Sequence, residues 1–354
     1  MNNKTVLFLF TELSGYVLAC FNYASENGYN IHVVNYPINS DAPFKLENKE
    51  KNSLFFHNKN HFNTVDKLNN FVLELDPGLI FVSGWMDKLY FKFSTEKNNS
   101  FKKILLLDNT WLGSLKQNLW SRLFNYRFKS AFQGIWVPGD EHKTYADKLG
   151  FKDLEIQNGF YTCNTNLFNS FYLNTHPQKK SNFPKRFLYV GRYDDVKGIT
   201  QLWNSFINVV EKNNFNWELW CVGTGKLWDS RAKHPLIKHF GFVQPENLQD
   251  IIQETGIYVL PSKYEPWGVS LHEMVSSGMP ILISENIGSK IYFLKEKING
   301  MSFSHLKEND LENKIFSMIN LSNKELFEMG QESVNLSYKF SLYSWLDTLN
   351  KFYD

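Results

Sequence analysis

The segment from Gly256 to Ser284, GIYVLPSKYEPWGVSLHEMVSSGMPILIS, restricts the possible folds of this chain more than any other segment. Ile257–Leu260 is a short apolar run typical of a buried strand, and a helix is predicted to begin near Val269. A glycine at position 278 and a proline at position 280 end that helix, and Ile281–Ile283 predicts a second strand. A strand–loop–helix–strand unit of this kind is typical of a parallel, doubly wound sheet.

Two carboxylates flank the predicted start of this helix. Glu265 lies in the loop before it, and Glu273 lies within it. In open α/β sheets the crevice at the carboxyl ends of the strands binds ligands, and the amides of a first helical turn favour an anion there. The carboxylates can accept hydrogen bonds from hydroxyl groups but would repel phosphate. A ligand with a diphosphate in the middle and polyols at both ends meets both demands, and a nucleotide sugar is such a ligand.

The composition indicates a globular chain of about two domains. A length of 354 residues is too great for one ordinary core, and the hydrophobic share is 43%. A net charge of +2 argues against a dedicated nucleic-acid-binding protein. Cys20, Cys163 and Cys221 are too widely spaced for a disulfide framework or a zinc site, so we expect a reduced, cytoplasmic setting. The sequence has no apolar run of the roughly 18 residues that span a bilayer, and we expect no signal peptide.

The N-terminal half alternates predicted strands and helices, which favours a Rossmann-like domain over residues 1–172. Its predicted strands include Val6–Phe10, Ile31–Val34, Leu79–Val82 and Ile104–Leu107. Residues 40–62 are polar and rich in Asn and Lys, and we expect a surface insertion there.

The alternation restarts after residues 172–185, whose two prolines and polar composition predict an inter-domain linker. The strands Phe187–Val190, Trp217–Val222 and His239–Val243 then predict a second Rossmann-like domain over residues 186–336. Residues 337–354 are expected to form a C-terminal helix.

Two motifs carry a resemblance to a known family. EPWGVSLHE, from Glu265 to Glu273, resembles the E-x7-E motif of the family 4 retaining glycosyltransferases, and YVGRYDDVKG, from Tyr189 to Gly198, resembles their VGR…KG donor segment. The spacing of the two motifs is also similar to that in the family. The resemblance implies the GT-B fold, in which two Rossmann-like domains face each other across a cleft. It also implies that the last helix returns to the first domain.

The resemblance further implies roles for the donor-side residues. Glu265 would bind hydroxyls of the transferred sugar, Glu273 the ribose, and Val243 the base through its backbone. The backbone amides of Gly268, Val269 and Ser270 would hold the distal phosphate, and the side chains of Arg192 and Lys197 would stabilise the leaving diphosphate. Gly15 occupies the place of the donor-side, glycine-containing loop that family members have after the first strand. The charged side chains and Gly15 have ordinary alternatives: Glu265 a solvated loop acid, Glu273 a helix acid paired with lysine, the two cations a solvated surface pair, and Gly15 a plain turn glycine. We expect His272, inside the motif, to serve packing.

The acceptor side departs from the family pattern. Many members carry a histidine after the fourth strand, whereas this chain has Asp108 and Asn109 in the corresponding stretch. Either side chain could orient the acceptor hydroxyl, and either could simply cap a strand end. No Asp-x-Asp occurs, so we predict that the protein needs no metal ion and no cofactor beyond the nucleotide sugar.

The segment from Trp111 to Phe132 interleaves aromatic and basic residues, and the chain has no Asp or Glu between Asn109 and Gly139. One interpretation is an ordinary amphipathic helix with a basic solvent face. The other is a surface that meets anionic lipid headgroups or a diphosphate-linked acceptor.

Taken with these features, the resemblance implies a retaining glycosyltransferase acting on a saccharide or lipid-linked saccharide acceptor, in bacterial surface polysaccharide assembly. We expect it in the cytoplasm, with peripheral contact to the inner face of the cytoplasmic membrane. A nucleotide-sugar epimerase or phosphorylase on the same scaffold and a non-catalytic nucleotide-sugar-binding protein are the alternatives.

Overall fold

The computed structural model of the chain describes residues 4–37, 53–96 and 101–353, and the side chain of Phe124 lies outside this description. The chain divides into two units, one built from residues 1–162 with 342–354 and the other from residues 163–341. Each unit is an α/β layer structure around a parallel sheet, which confirms the predicted fold class.

In the described residues, the sheet of the first unit has seven parallel strands in the order β3-β2-β1-β4-β5-β6-β7. These strands are β1 (Thr5–Leu9), β2 (Asn30–Asn35), β3 (Leu54–Asn58), β4 (Leu79–Ser83), β5 (Lys103–Leu106), β6 (Gly134–Trp136) and β7 (Ile156–Gln157). The helices of the same unit are α1 (Gly15–Glu26), α2 (Val65–Leu75), α3 (Lys88–Thr95), α4 (Leu115–Ala131) and α5 (Lys143–Lys148). Both faces of this sheet are covered, so its central strands are fully buried, as parallel strands between helices must be.

The sheet of the second unit has six parallel strands in the described residues, in the order β10-β9-β8-β11-β12-β13. These strands are β8 (Arg186–Val190), β9 (Glu218–Val222), β10 (Ile237–His239), β11 (Ile257–Leu260), β12 (Ile281–Ser284) and β13 (Gly300–Phe303). Its helices are α6 (Thr165–Ser181), α7 (Ile199–Asn213), α8 (Gln249–Gln253), α9 (Val269–Ser276), α10 (Lys290–Phe293), α11 (Asp310–Ile319) and α12 (Asn323–Ser337). The strand order reverses between β8 and β11, and this switch point is where such sheets bind ligands.

The last helix, α13 (Leu342–Lys351), belongs to the first unit. Trp345 is buried against Trp136 with ring centroids 4.9 Å apart, and its indole Nε1 donates to the carbonyl of Phe160 at 3.0 Å. None of the described helices combines the length and the apolar character needed to cross a bilayer.

Three local predictions are wrong. Residues 172–185 are not an open linker, because Thr165–Ser181 is one helix that contains Pro177 and packs within the second unit. Residues 40–62 are not only an insertion, because strand β3 pairs with β2 there; residues 38–52 lie outside the described residues. The strand expected at 239–243 ends at His239, because Gly241 has a φ of +73° and turns the chain away.

Candidate functional site

Helix α9 begins after the carboxyl end of β11, and its first turn faces the loop that joins the two elements. Gly268 caps it in a left-handed conformation, with a φ of +89° that favours glycine. The amides of Val269 and Ser270 have no acceptor within the helix, whereas the amide of Leu271 donates to the carbonyl of Gly268 at 3.0 Å, and the first turn carries no acid. Buried Tyr258 donates its hydroxyl to Ser270 Oγ at 2.8 Å, which fixes the start of the helix. This end of the unit can therefore hold an anion.

An ion pair between Lys197 and Glu265 lies in the two loops that follow β8 and β11. Lys197 Nζ donates to Glu265 Oε2, and the two side chains are only 17% and 15% exposed. The hydroxyl of Ser262 donates to the same carboxylate oxygen at 3.3 Å. The other carboxylate oxygen of Glu265 keeps acceptor capacity for a ligand hydroxyl.

These two loops approach each other closely because one of them lacks a side chain at the contact. Gly198 has a φ of +68°, and a Cβ atom there would lie 2.0 Å from the carbonyl oxygen of Pro261. The amide of Lys263 donates to the carbonyl of Val196 at 2.8 Å. The backbone itself therefore fixes the distance between Lys197 and Glu265.

Arg192 lies in the same loop as Lys197, but its side chain has a different partner. Its Nε is 3.9 Å from Asp194 Oδ2, and half of the side chain is exposed. Its carbonyl accepts the hydroxyl of Tyr189 at 2.7 Å, which holds the loop backbone against the sheet. The structure thus brings Lys197 and Glu265 together and leaves the guanidinium of Arg192 at the solvent side of the loop.

Glu273 and His272 follow within α9 and have different surroundings. Burial, with a smaller contribution from the charge of Glu246, raises the pKa of Glu273 to about 7. His272 is fully buried, and this burial is the main reason that its pKa is lowered to about 4. Its Nδ1 accepts from the amide of Cys163 at 3.2 Å, and its Nε2 lies 3.2 Å from the carbonyl of Ser337. A neutral histidine with both ring nitrogens used is a packing residue, as the sequence predicts.

Val243 lies in the loop after β10, beside the turn at Gly241. The carbonyl of Gly241 accepts the amide of Gly223 at 2.7 Å, which ties this loop to the end of β9. Val243 itself is half-buried, and its role in holding the base, which the resemblance implies, stays a prediction.

In the first unit, Gly15 is the first residue of α1, and Asp108 and Asn109 are exposed directly after β5. Tyr161, which the sequence did not single out, donates its hydroxyl to Asp108 Oδ2 at 2.8 Å. Burial raises the pKa of Tyr161 well above its usual value, and Tyr16 and Asp108 add to this, so the hydroxyl keeps its proton. No sequence pattern connects these two residues, because they are 53 positions apart.

The described residues contain no group of three or more His, Cys, Asp or Glu side chains arranged to hold a metal ion.

Ser262 and Asp194 are the donor-side contacts that the sequence did not single out. A signal for both existed, because Ser262 is three residues before Glu265 and Asp194 is two residues after Arg192.

Residues 174–333 match the model of the family described as glycosyl transferases group 1. The chain carries a group 1 glycosyl transferase domain. This domain takes in the loops of Arg192, Lys197 and Glu265 and the whole of α9. An uncharacterized glycosyltransferase of Methanocaldococcus jannaschii is 28% identical over 125 residues, which cover 33% of this chain and 31% of the relative. The chain spans less than half of the length of the curated relatives that it matches.

Solved structures that are similar to this chain cover nearly all of it. A glycosyltransferase from Rickettsia africae aligns with a TM-score of 0.76 and 14% identity, covering 100% of this chain and 98% of that one. HepE of Anabaena, solved in complex with UDP and glucose, aligns with a TM-score of 0.71 and 12% identity over 98% of both chains. The fold is therefore GT-B.

Proposed function

We propose that the protein is a retaining glycosyltransferase that moves a sugar from a nucleotide-diphosphate sugar to a saccharide or lipid-linked saccharide. The observation that carries this proposal is the Lys197–Glu265 pair in the loops that lead to the first turn of α9, where the amides of Val269 and Ser270 have no acceptor within the helix. A cation, a carboxylate and first-turn amides at one sheet edge match the three parts of an activated sugar: its leaving phosphate, its hydroxyls and its diphosphate. The group 1 domain over residues 174–333 and the similarity to a structure solved with UDP and glucose support it.

In the proposed reaction the bond between the anomeric carbon and the diphosphate oxygen breaks, and negative charge develops on the leaving diphosphate. Lys197, Arg192 and the first-turn amides of α9 stabilise that charge in the transition state more than in the ground state. Glu265 holds the sugar hydroxyls, and Glu273 accepts a hydrogen bond from the ribose.

The acceptor hydroxyl attacks on the face from which the diphosphate departs, which retains the anomeric configuration, and no protein nucleophile is assigned. On the acceptor side, the Asp108 carboxylate, oriented by Tyr161, accepts a hydrogen bond from the incoming hydroxyl. The proton of that hydroxyl passes to the departing phosphate oxygen. The cations supply the charge compensation, so we propose that the reaction needs no metal ion.

For the biological setting we propose bacterial surface polysaccharide assembly at the cytoplasmic face of the membrane. The support is the solvent side of α4 in the first unit, where the apolar residues Leu115, Leu119 and Leu123 and the cations Lys116 and Arg122 are exposed. Such a surface suits an acceptor that is presented by a lipid.

The test compares Lys197→Met and Glu265→Gln with Lys129→Met. Lys129 forms a 2.6 Å ion pair with Glu155 in the first unit, so its replacement removes a similar pair away from the donor residues. An electrostatic contact to the transition state contributes about 3 kcal/mol, so each site variant should lower transfer at least about 100-fold. Lys129→Met should stay within about threefold of the wild type.

Retention of more than about a tenth of the activity in both folded site variants would contradict the proposal. Proton NMR of the product must show the anomeric configuration of the donor; inversion would refute the retaining mechanism. Turnover of donor into an epimer without acceptor would indicate an epimerase instead. Donor binding without turnover would indicate a binding protein.

A further inference from the structure

Helix α4 has two apolar faces, and the sheet of the first unit uses only one of them. Phe128 and Ala131 are buried in the core of the first unit. Leu115, Leu119 and Leu123 instead follow one another at four-residue spacing on the solvent side. Such spacing places them in one row, and at about 100° per residue this row points almost directly away from the core.

The outward row is exposed to an unusual degree for large apolar side chains. Leu115 is 90%, Leu119 59%, Leu123 65% and Tyr126 83% exposed. Leu112, just before the helix, is 68% exposed and extends the row at its N-terminal end. Isolated exposed leucines are ordinary on protein surfaces, but a continuous apolar strip along one helix marks an interaction surface.

Cations flank this strip on both sides. Lys116 and Arg127 lie along one edge, and Arg122 lies along the other. The remaining basic residue of the helix, Lys129, is neutralised by Glu155. An apolar strip between two basic edges fits a surface with negative headgroups above an apolar layer. A second copy of the same strip would bring these cations against one another, so self-association is disfavoured.

We propose that the outward face of α4, comprising Leu115, Leu119, Leu123, Tyr126 and the flanking cations Lys116 and Arg122, is a docking surface for an anionic lipid bilayer. The apolar row enters the boundary between headgroups and acyl chains, and the cations meet lipid phosphates.

The surface is joined to the acceptor side of the same unit. The loop between β5 and α4 starts beside Asp108, and its carbonyl at Thr110 accepts from Gln117 Nε2 at 2.9 Å. Gln117 Oε1 in turn accepts from the amide of Leu112 at 2.8 Å. The first turn of α4 therefore holds this loop in place, and docking would set the distance between Asp108 and the lipid headgroups. This assignment of purpose rests on the proposed function, whereas the docking itself does not.

The first experiment measures binding to phosphatidylcholine vesicles with and without 30% phosphatidylglycerol by co-sedimentation at low salt. Wild-type protein should bind the anionic vesicles and release them as salt rises. Lys116→Gln with Arg122→Gln should weaken binding about 25-fold, at about fivefold for each cation. Lys67→Gln with Lys212→Gln, which removes two exposed cations elsewhere, should change it less than threefold.

The second experiment tests directly whether the apolar strip of α4 enters the bilayer. Cys20, Cys163 and Cys221 are all buried, so a cysteine introduced at Tyr126 is the accessible one for labelling with a polarity-sensitive fluorophore. Its emission should shift to shorter wavelength with anionic vesicles, and a label at Leu154, 94% exposed in the same unit, should not shift. Leu119→Ser with Leu123→Ser should weaken binding at least tenfold.

An unchanged emission at position 126, or equal binding by the cation pair and its control, would overturn the proposal. Dimerisation that disappears in the Leu119→Ser, Leu123→Ser variant would assign the strip to a second copy instead. The change in Tm on adding UDP-, GDP-, dTDP- or ADP-sugars tests the proposed glycosyltransferase function separately from the docking surface. Vesicle binding without any donor response would refute the proposed function alone, and a donor response without vesicle binding would refute the docking surface alone.

Discussion

Replacing Lys179 with methionine should stabilise the protein, and the gain should depend strongly on pH. Lys179 lies in α6 with its side chain 5% exposed, beside a small cavity lined by Thr175, Phe183 and neighbouring residues. Among the described residues its Nζ has no hydrogen-bond partner. Burial lowers the pKa of Lys179 from its ordinary 10.5 to about 7, against an opposing effect of the Glu254 carboxylate.

The direction follows from proton binding. Between pH 7 and pH 10.5 the unfolded chain holds a proton on this lysine that the folded chain does not, so stability rises with pH in that window. Below pH 7 the cost of the buried charge is present in full. At about 1.4 kcal/mol for each pKa unit, burial of Lys179 lowers the free energy of unfolding by about 5 kcal/mol at pH 6 and by about 1 kcal/mol at pH 10.

Calorimetric melting of the wild type, Lys179→Met and Lys180→Met at both pH values measures this effect. For a unit of this size, 1 kcal/mol shifts Tm by about 2–4 °C, so the Lys179→Met gain should be about 10–20 °C at pH 6 and a few degrees at pH 10. Lys180 is exposed, and its replacement removes the same charge with little effect at either pH. Equal gains at the two pH values, or none, would refute the inference that an unpaired charge is buried here.

Three further outcomes are expected. Because the pKa of Glu273 is about 7, its carboxylate is half-ionised near neutrality; titration calorimetry should show tighter donor binding at pH 8 than at pH 6, and Glu273→Gln should remove that dependence. A pH dependence that survives in Glu273→Gln would assign it to another group. Gly198→Ala would place a Cβ atom 2.0 Å from the carbonyl oxygen of Pro261 and should lower Tm by several degrees. Gly84→Ala is the control, because Gly84 has a similar φ of +62° but open space around it, and it should lower the free energy of unfolding by only about 1–2 kcal/mol. Equal costs would show that the loops can separate. Transfer should continue at an unchanged rate in excess EDTA; loss of activity that Mg²⁺ or Mn²⁺ restores would contradict the proposed metal independence.

The sequence predicted elements best where local signals agreed. Helix α2 (Val65–Leu75) is such a case, because Thr64 caps its start by accepting from the Lys67 amide at 3.3 Å and Asp76, just before a proline and a glycine, ends it with a left-handed turn. Helix α3, in contrast, was missed. It is only eight residues long, and a short run rich in aromatic residues is as typical of a strand as of a helix, although Asp87 Oδ1 caps its start by accepting from the Tyr90 amide at 2.7 Å.

The candidate site shows the same division. The donor-side loops were predictable because their motifs are contiguous in sequence and their strands are neighbours in the sheet. The choice of Lys197 rather than Arg192 as the partner of Glu265 was not, because it depends on the approach of Gly198 to Pro261 across 63 positions of sequence. The contact of Tyr161 with Asp108 likewise depends on where two distant strands end.

The backbone contact at Gly198 limits how this protein could be redesigned. The hydrogen bond from Lys263 to Val196 and the missing side chain at position 198 make the two loops a single rigid block. A chimera that takes one of these loops from a relative would combine backbones that do not fit closely at position 198. Lys197 and Glu265 would then no longer be held within hydrogen-bonding distance. Altered sugar preference should therefore require that both segments are exchanged as a set.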